Sequence, residues 1–366
     1  MEFKKPLRWV CGLLALIVAF QGLRRCDIDL AQYFYSIDHG RPFQLQPSHA
    51  FLLEGILADC IGLMFGWAPI LWSVVGIVLL AFTFRSSLRN NTISLYSLIL
   101  VLAFSRLPDT LGQWVGKLDP FLFCFLLLSV NRNRAVSMAG TALAAFCAPV
   151  GAVISAIGVK CVYAASGTDD KQPRVYIAAL AAAADLILFK IIFGNRQSRF
   201  EYIAGELPRL ARNGLSYGAL TLLASIIVPL ITIFCFVRPP AIRGRRSAML
   251  AGWFCFVVIL SCLLTLDHTR VATMLLFAPL MALLQVSERR EFPATREFKA
   301  LLFGAFLAAR LVIPHIDETG PHILSWDNLR GLLGFEAKIV THRMDSPRSL
   351  QQANPLSPDR AASAPP

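Results

Sequence analysis

The chain has 366 residues, of which 56% are hydrophobic and only 16% are charged, and its mean hydropathy is +0.58. These values lie well to the apolar side of a soluble globular domain and predict a polytopic membrane protein. The formal charge of +12 does not indicate a nucleic-acid partner, because the Lys and Arg residues fall mostly between apolar runs, where they determine topology.

Several kinds of chemistry have no support in the sequence. There is no Walker motif, no G-x-S-x-G and no H-E-x-x-H, so ATP-driven transport, lipase chemistry and zinc proteolysis are not indicated. The nine cysteines include no C-x-x-C pair and have no companion histidines at metal spacing, so we predict no metal ligands. The sequence identifies no cofactor, and a divalent cation is the candidate that we consider.

The first apolar run starts near residue 7, after basic residues, and no small-x-small cleavage site follows it. We therefore expect a retained first span with a cytoplasmic N-terminus. An outer segment from residue 24 to 68 follows, and its "RRCDIDLAQYF" stretch contains Asp27 and Asp29. These acids suit either a general base or a cap of the next helix. The later stretch "PSHAFLLEGILADCIGLMFGW" predicts either an interfacial helix or an ordinary packing helix.

Further apolar runs begin near residues 69, 92 and 118, and the third follows the motif "GKLDPFL". Asp119 directly before Pro120 is typical of an N-cap followed by proline in the first helical turn. We expect Asp119 to cap its helix and also to face a binding site. Lys117 beside it could contact a lipid headgroup or a substrate phosphate.

The run from residue 136 to 165 is longer than one span and contains Pro149 in its middle. Because proline breaks a helix, two half-length helices joined at depth would return the chain to the side it came from. We predict a re-entrant helix pair here. Spans starting near residues 175, 215, 247, 271 and 298 follow, which makes about nine spans in an all-α transmembrane domain of residues 1 to 313.

The motif "LDHTR" places Asp267, His268 and Arg270 in a short connection between two spans. Such a group is usually a solvated turn, but partly desolvated charges near the membrane surface tend to be paired or used. After the last span we expect a short outer segment over residues 314 to 340. The Pro-, Ser- and Ala-rich residues 341 to 366 predict a disordered tail.

The predicted topology separates the charges. Loops assigned to the cytoplasm carry more Lys and Arg than the outer loops, as in proteins of a bacterial cytoplasmic (inner) membrane. The acids and histidines of the connections gather on the opposite, outer face, where several span ends meet. We therefore expect a functional site at the outer membrane surface.

The order of these features resembles the GT-C superfamily of polytopic glycosyltransferases, which use polyprenyl-phosphate-linked sugars as donors. The resemblance rests on "CDIDLAQYF", on "QPSHAFLLEG" leading into a span, on "GKLDPFLFCFLLL", on the Pro-broken "AGTALAAFCAPVGAVISAI" and on "DHTRVATMLLFAPLMAL". It covers roughly residues 1 to 313. The first loop departs from the superfamily because it lacks an adjacent pair of acids, and no sizeable outer domain follows the spans.

The resemblance implies an enzyme that transfers a sugar to a lipid or polysaccharide acceptor. Asp27 or Asp29 would be the catalytic base on the acceptor hydroxyl, while cations stabilise the departing polyprenyl phosphate. The substrate-binding residues would be His49, Lys117, Asp119, Asp267, His268 and Arg270.

Other functions remain open from the sequence. A multi-span polysaccharide polymerase would also place Arg and Asp on outer loops, but it predicts a large outer loop late in the chain, whereas the longest one here comes first. A transporter should show internal repeats and charges at mid-membrane. A non-catalytic multi-span membrane protein is the third alternative.

Overall fold

A computed structural model describes the central part of the chain. The described residues are 52–53, 56, 68–90, 101, 107, 110–111, 118–168, 170–193, 199–227, 230, 237–238, 245–265, 268–289, 315–317 and 320–322. Within these ranges the regular structure is helical apart from two short antiparallel β pairs, so the expected all-α class is confirmed.

Eight α-helices make up the described bundle. They are α1 (Ala68–Arg89), α2 (Asp119–Ser129), α3 (Arg134–Cys147), α4 (Pro149–Ser166), α5 (Arg174–Phe193), α6 (Arg199–Leu222), α7 (Arg245–Leu264) and α8 (His268–Val286). A π-helical turn, Leu223–Ile227, continues α6. The strands are β1 (Val237–Arg238), which pairs with β2 (Glu288–Arg289), and β3 (His315–Asp317), which pairs with β4 (Gly320–His322).

The break expected at Pro149 is present. The Asn133 side chain caps the start of α3 by accepting hydrogen bonds from the backbone N–H groups of Ala135 and Val136. The helix ends at Cys147, and Pro149 opens α4 in its first turn, where its missing N–H costs nothing. The second arm has 18 residues and is long enough to cross a membrane, so it is not the half-length helix that we expected.

The bundle has two polar ends. Arg174 at the start of α5 contacts Ser129 at the end of α2, and Tyr163 near the end of α4 contacts Gln285 near the end of α8. At the other extreme, the first residue of α2, Asp119, contacts Arg270 in the first turn of α8. Helices α2, α4 and α8 therefore run in the same direction, from what we term the Asp119 end to the Arg174 end.

A proline in α8 is accommodated in the middle of the bundle. Pro279 has no N–H to donate, which leaves the carbonyl of Leu275, four residues earlier, without its helical partner. Ser155 on α4 donates its hydroxyl to that carbonyl at 2.9 Å. Gly158, one turn further along α4, lies against Trp253 and Pro279, where an added Cβ would come within 2.1 Å of the indole ring.

The outward faces of several helices are apolar. Exposed side chains include Val78 and Phe82 on α1, Leu180 and Ile191 on α5, and Ile259 on α7. Two helices within the described ranges, Pro149–Ser166 and Arg174–Ile192, are long and apolar enough to cross a bilayer, and four shorter helices are apolar. These features support a membrane protein.

The predicted apolar runs near residues 69, 118, 175, 247 and 271 lie in helices, and the run near residue 215 is helical as far as Ile227. The runs near residues 7 and 298 and the C-terminal tail lie outside the described residues, as does most of the run near residue 92. Of the stretch predicted as an interfacial or packing helix, only residues 52, 53 and 56 are described, and they are helical. The number of nine spans therefore stays a prediction.

The sequence predicts a connection between the apolar runs that start near residues 175 and 215, and this connection is helical from Arg199 onward. Helix α6 begins at Arg199, and its first half carries exposed charges such as Glu206 and Arg209, whose side chains approach to 3.6 Å. Their spacing of three residues places them on one helical face. Leu210 is buried, so the segment is an amphipathic helix and not an irregular loop.

Candidate functional site

An ion pair at the Asp119 end joins two of the sequence-predicted residues. Arg270 donates from Nε to Asp119 Oδ2 at 2.7 Å and from Nη2 to Asp119 Oδ1 at 2.8 Å. The two residues are 151 positions apart in the sequence. This parallel two-bond contact is the strongest geometry available to arginine and a carboxylate, and it fixes the plane of the guanidinium.

Burial of the ion pair is unequal. The Asp119 side chain is 4% exposed and the Arg270 side chain is 16% exposed. Two unpaired charges at such depth would each lose several kcal/mol of hydration, roughly, so the pair is stable only because each charge compensates the other. The part of the pair that solvent or a ligand can reach is therefore mainly the Arg270 side chain.

The expectation that Asp119 caps its helix is wrong. Asp119 is the first helical residue, and the N-cap position is occupied by Leu118, which makes no side-chain cap hydrogen bond. Pro120 lies in the first turn as predicted. Both carboxylate oxygens of Asp119 bind Arg270, and a bidentate contact with a charged donor outweighs a single bond to a backbone N–H.

His268 lies two residues before Arg270 on α8 but belongs to a different interface. Two residues along a helix differ by about 200° in direction, so the two side chains lie on different faces. The imidazole is fully buried, with Nδ1 3.3 Å from Thr221 Oγ1 on α6 and 3.9 Å from Cys262 Sγ on α7. The structure therefore does not combine His268 with the Asp119–Arg270 pair in one cluster of side chains.

The remaining predicted site residues lie outside the described residues. They are Asp27, Asp29, His49, Lys117 and Asp267. Convergence of the catalytic acids on the ion pair therefore remains a prediction. Within the described ranges, no group of three or more His, Cys, Asp or Glu side chains could hold a metal ion.

A second polar cluster, at the Arg174 end, was not predicted as a site. Arg174 is 3% exposed, and its Nε donates to the Ser129 carbonyl at 2.7 Å and to Ser137 Oγ at 3.0 Å. Its Nη1 donates to Asp170, and its guanidinium lies 5.6 Å from the centre of the Tyr163 ring. Arg174 thus connects α2, α3, α4 and α5.

The same cluster extends to α8. Tyr163 donates its hydroxyl to Gln285 Oε1 at 2.8 Å, and Gln285 Nε2 donates to the Val130 carbonyl at 3.2 Å. We call the set of Ser129, Ser137, Tyr163, Arg174 and Gln285 the Arg174 collar. The one sequence signal for it was the presence of polar residues, Tyr163 and Gln285, within otherwise apolar runs.

The comparisons with known proteins add no assignment. No protein-family model matches this sequence, and no curated protein or solved structure matches it either.

Proposed function

We propose that the protein is a membrane glycosyltransferase that transfers a sugar from a polyprenyl-phosphate donor to a lipid or polysaccharide acceptor at the outer face of a bacterial cytoplasmic membrane. The observation that carries the proposal is the bidentate Asp119–Arg270 pair at one end of an apolar bundle. A guanidinium held in a fixed plane, close to where a lipid phosphate would lie, suits a reaction in which negative charge develops on that phosphate.

The reaction divides among three roles. The acceptor oxygen attacks the anomeric carbon and gives its proton to the carboxylate of Asp27 or Asp29. The bond from the anomeric carbon to the phosphate oxygen breaks, and polyprenyl phosphate leaves with the bonding electrons. Arg270 stabilises the charge on that phosphate, and Asp119 positions Arg270.

Arginine suits this role better than lysine would. The parallel contact through Nε and Nη2 fixes the orientation of the guanidinium, whereas a lysine ammonium would be a single flexible point charge. The greater exposure of Arg270 than of Asp119 also favours the arginine as the residue that meets the substrate.

The test is a transfer assay in membrane vesicles that contain the protein, with a panel of radiolabelled polyprenyl-phosphate sugars as donors. We expect Arg270→Lys to lower the transfer rate by about 100-fold, the usual effect of losing one oriented donor. Asp27→Asn or Asp29→Asn should lower it by about 100- to 10,000-fold, as expected for a lost general base.

Arg209→Lys is the matched control, because Arg209 is an arginine on α6 whose side chain is 63% exposed. It should keep the wild-type rate. The proposal fails if the wild-type protein transfers none of the sugars, or if Arg270→Lys and both Asp→Asn variants all keep the wild-type rate.

A further inference from the structure

Helices α6, α7 and α8 meet in an interface near the Asp119 end that contains polar groups without hydrogen-bond partners. His268 is 0% exposed, and its Nε2 has no hydrogen-bond partner among the described residues. Ser225, 8% exposed, follows Thr221 by four residues, about one helical turn. The Ser225 Oγ atom likewise lacks a hydrogen-bond partner within the described ranges.

Two such atoms in an apolar interface need an explanation. A buried polar group without a hydrogen bond costs about 1 to 3 kcal/mol, so native proteins rarely keep one without a ligand or a bound water to satisfy it. The buried cluster that contains Cys262 is made largely of apolar side chains such as Ile226, Val257 and Val258. It also contains Trp253, whose Nε1 has no hydrogen-bond partner within the described ranges. A charged ligand would be strongly destabilised there, whereas a hydroxyl can donate to one atom and accept from another.

The backbone around these atoms is irregular. Leu223–Ile227 forms a π-helical turn. Such turns are rare in proteins, and those that occur are often found at functional sites. Within α6, Gly214 allows the helix to approach α7 closely, since an added Cβ at this position would lie 2.9 Å from Cys262 Cβ. The interface is thus tightly closed near Gly214, and the helix changes its geometry beside Ser225.

The outer surface of the same helices indicates where a ligand comes from. Leu215 is 89% exposed and Leu223 46% exposed on the α6 side, and Phe256 and Ile259 are exposed on α7. A ligand that reaches the interface across this surface must be compatible with apolar surroundings. That condition favours a lipid over a water-soluble sugar.

We propose that the interface of α6, α7 and α8 binds the hydroxyl group of a lipid, with His268 Nε2 as its main hydrogen-bond partner and Ser225 Oγ as a second. Thr221 positions the imidazole through its contact with Nδ1. The site is separate from the Asp119–Arg270 pair, and it does not depend on glycosyl transfer.

The experiment uses the full-length protein in lipid nanodiscs and a long-chain alcohol that carries a photoreactive diazirine. Labelled peptides are then mapped by mass spectrometry. The matched probe is the methyl ether of the same alcohol, which keeps the chain and loses the hydroxyl proton. We expect the alcohol to label α6 and α8 about tenfold more strongly than the ether, the factor expected from one well-formed buried hydrogen bond.

Two substitutions separate the nitrogens of His268. His268→Asn keeps a polar group near the position of Nδ1 but none near Nε2, and it should lower labelling by the alcohol to the level of the ether. His268→Gln reaches the position of Nε2 with a polar group and should keep most of the labelling. Equal labelling by alcohol and ether, or unchanged labelling of His268→Asn, would show that only bound water satisfies these atoms and would overturn the proposal.

Ser225→Ala gives a second readout that does not depend on His268. Removing a hydroxyl that has no partner in the described part of the chain should leave the melting temperature of the lipid-free, detergent-solubilised protein unchanged or higher. The long-chain alcohol should raise the melting temperature of the wild-type protein and raise that of Ser225→Ala less. The same rise in both proteins would remove Ser225 from the site.

Discussion

The two ends of helix α2 show two ways of burying an arginine. At the Arg174 end, one guanidinium bonds to a carbonyl, a hydroxyl and a carboxylate and lies against an aromatic ring. At the Asp119 end, the contact of Arg270 within the described residues is with one carboxylate, which accepts hydrogen bonds from it through both oxygens. The first arrangement is a network that joins five helices, and the second is a pair that joins two.

This difference indicates a division of labour. A network whose members satisfy one another fixes a structure, because several bonds must break before any helix can move. The pair at the Asp119 end lies beside the interface of α6, α7 and α8, where His268 Nε2 and Ser225 Oγ lack hydrogen-bond partners among the described residues, and it is better suited to meet a substrate. Stability should therefore depend most on the Arg174 collar and activity most on the Asp119 end.

The largest expected loss of stability follows Arg174→Met. This variant leaves Asp170 as a poorly exposed carboxylate and removes two bonds from Ser129 and Ser137, so we expect a loss of about 3 to 5 kcal/mol in the free energy of unfolding. Denaturant unfolding in detergent, monitored by circular dichroism, measures it. The exposed Arg134 at the same end is the control, and Arg134→Met should change the free energy by less than about 0.5 kcal/mol.

A double variant distinguishes a network from a pair at this end. Arg174→Met combined with Asp170→Leu should recover less than about half of the loss, because the contacts with Ser129, Ser137 and the Tyr163 ring stay broken. Full recovery by the double variant would mean that the collar acts as a simple ion pair, and the contrast between the two ends would disappear.

The Asp119 end should give the opposite result. Asp119→Leu leaves the Arg270 guanidinium without its carboxylate and should cost about 3 kcal/mol. The double variant Asp119→Leu/Arg270→Met should recover most of that stability, because replacing both charges removes both desolvation costs. It should not recover sugar transfer. A double variant that regains activity would show that the pair is structural only.

Sequence patterns predicted which helix ends lie together better than they predicted which side chains are in contact. Asp119 and Arg270 were both expected at one site because each begins a span on the same side, and span parity follows from counting apolar runs and basic loops. Their direct pairing could not be predicted, because it depends on which helices pack together. The cap prediction for Asp119 failed for the same reason, since local motifs do not reveal a distant arginine.

The Arg174 collar illustrates what local patterns conceal. The sequence places Arg174 in a cytoplasmic loop, but it is buried because the end of α2, the first turn of α3 and the connection before α5 bring hydrogen-bond acceptors to it. The break at Pro149 was predictable because proline acts on its own backbone. The role of Ser155 was not, because the carbonyl it satisfies lies on another helix.

A smaller loss of stability is expected in the middle of the bundle, between the Asp119 end and the Arg174 end. Ser155→Ala leaves the Leu275 carbonyl without a donor and should cost about 1 to 2 kcal/mol in the free energy of unfolding. In a Pro279→Ala background the new N–H of residue 279 can bond to Leu275 within α8, so the same serine substitution should cost much less. An equal cost in both backgrounds would show that Ser155 contributes by packing and not by satisfying this carbonyl.

The smallest effect tests whether the collar closes through α8. Tyr163→Phe and Gln285→Leu each remove the hydrogen bond between the two side chains. Tyr163→Phe should cost about 0.5 to 1.5 kcal/mol, and Gln285→Leu should cost more, because it also removes the donor to the Val130 carbonyl. A double-mutant cycle should give a coupling of about 0.6 kcal/mol, typical of hydrogen bonds between membrane helices. A coupling near zero would place α8 outside the collar. The collar would then join only α2 to α5, and α8 would be held at this end by the contact of Gln285 with the Val130 carbonyl.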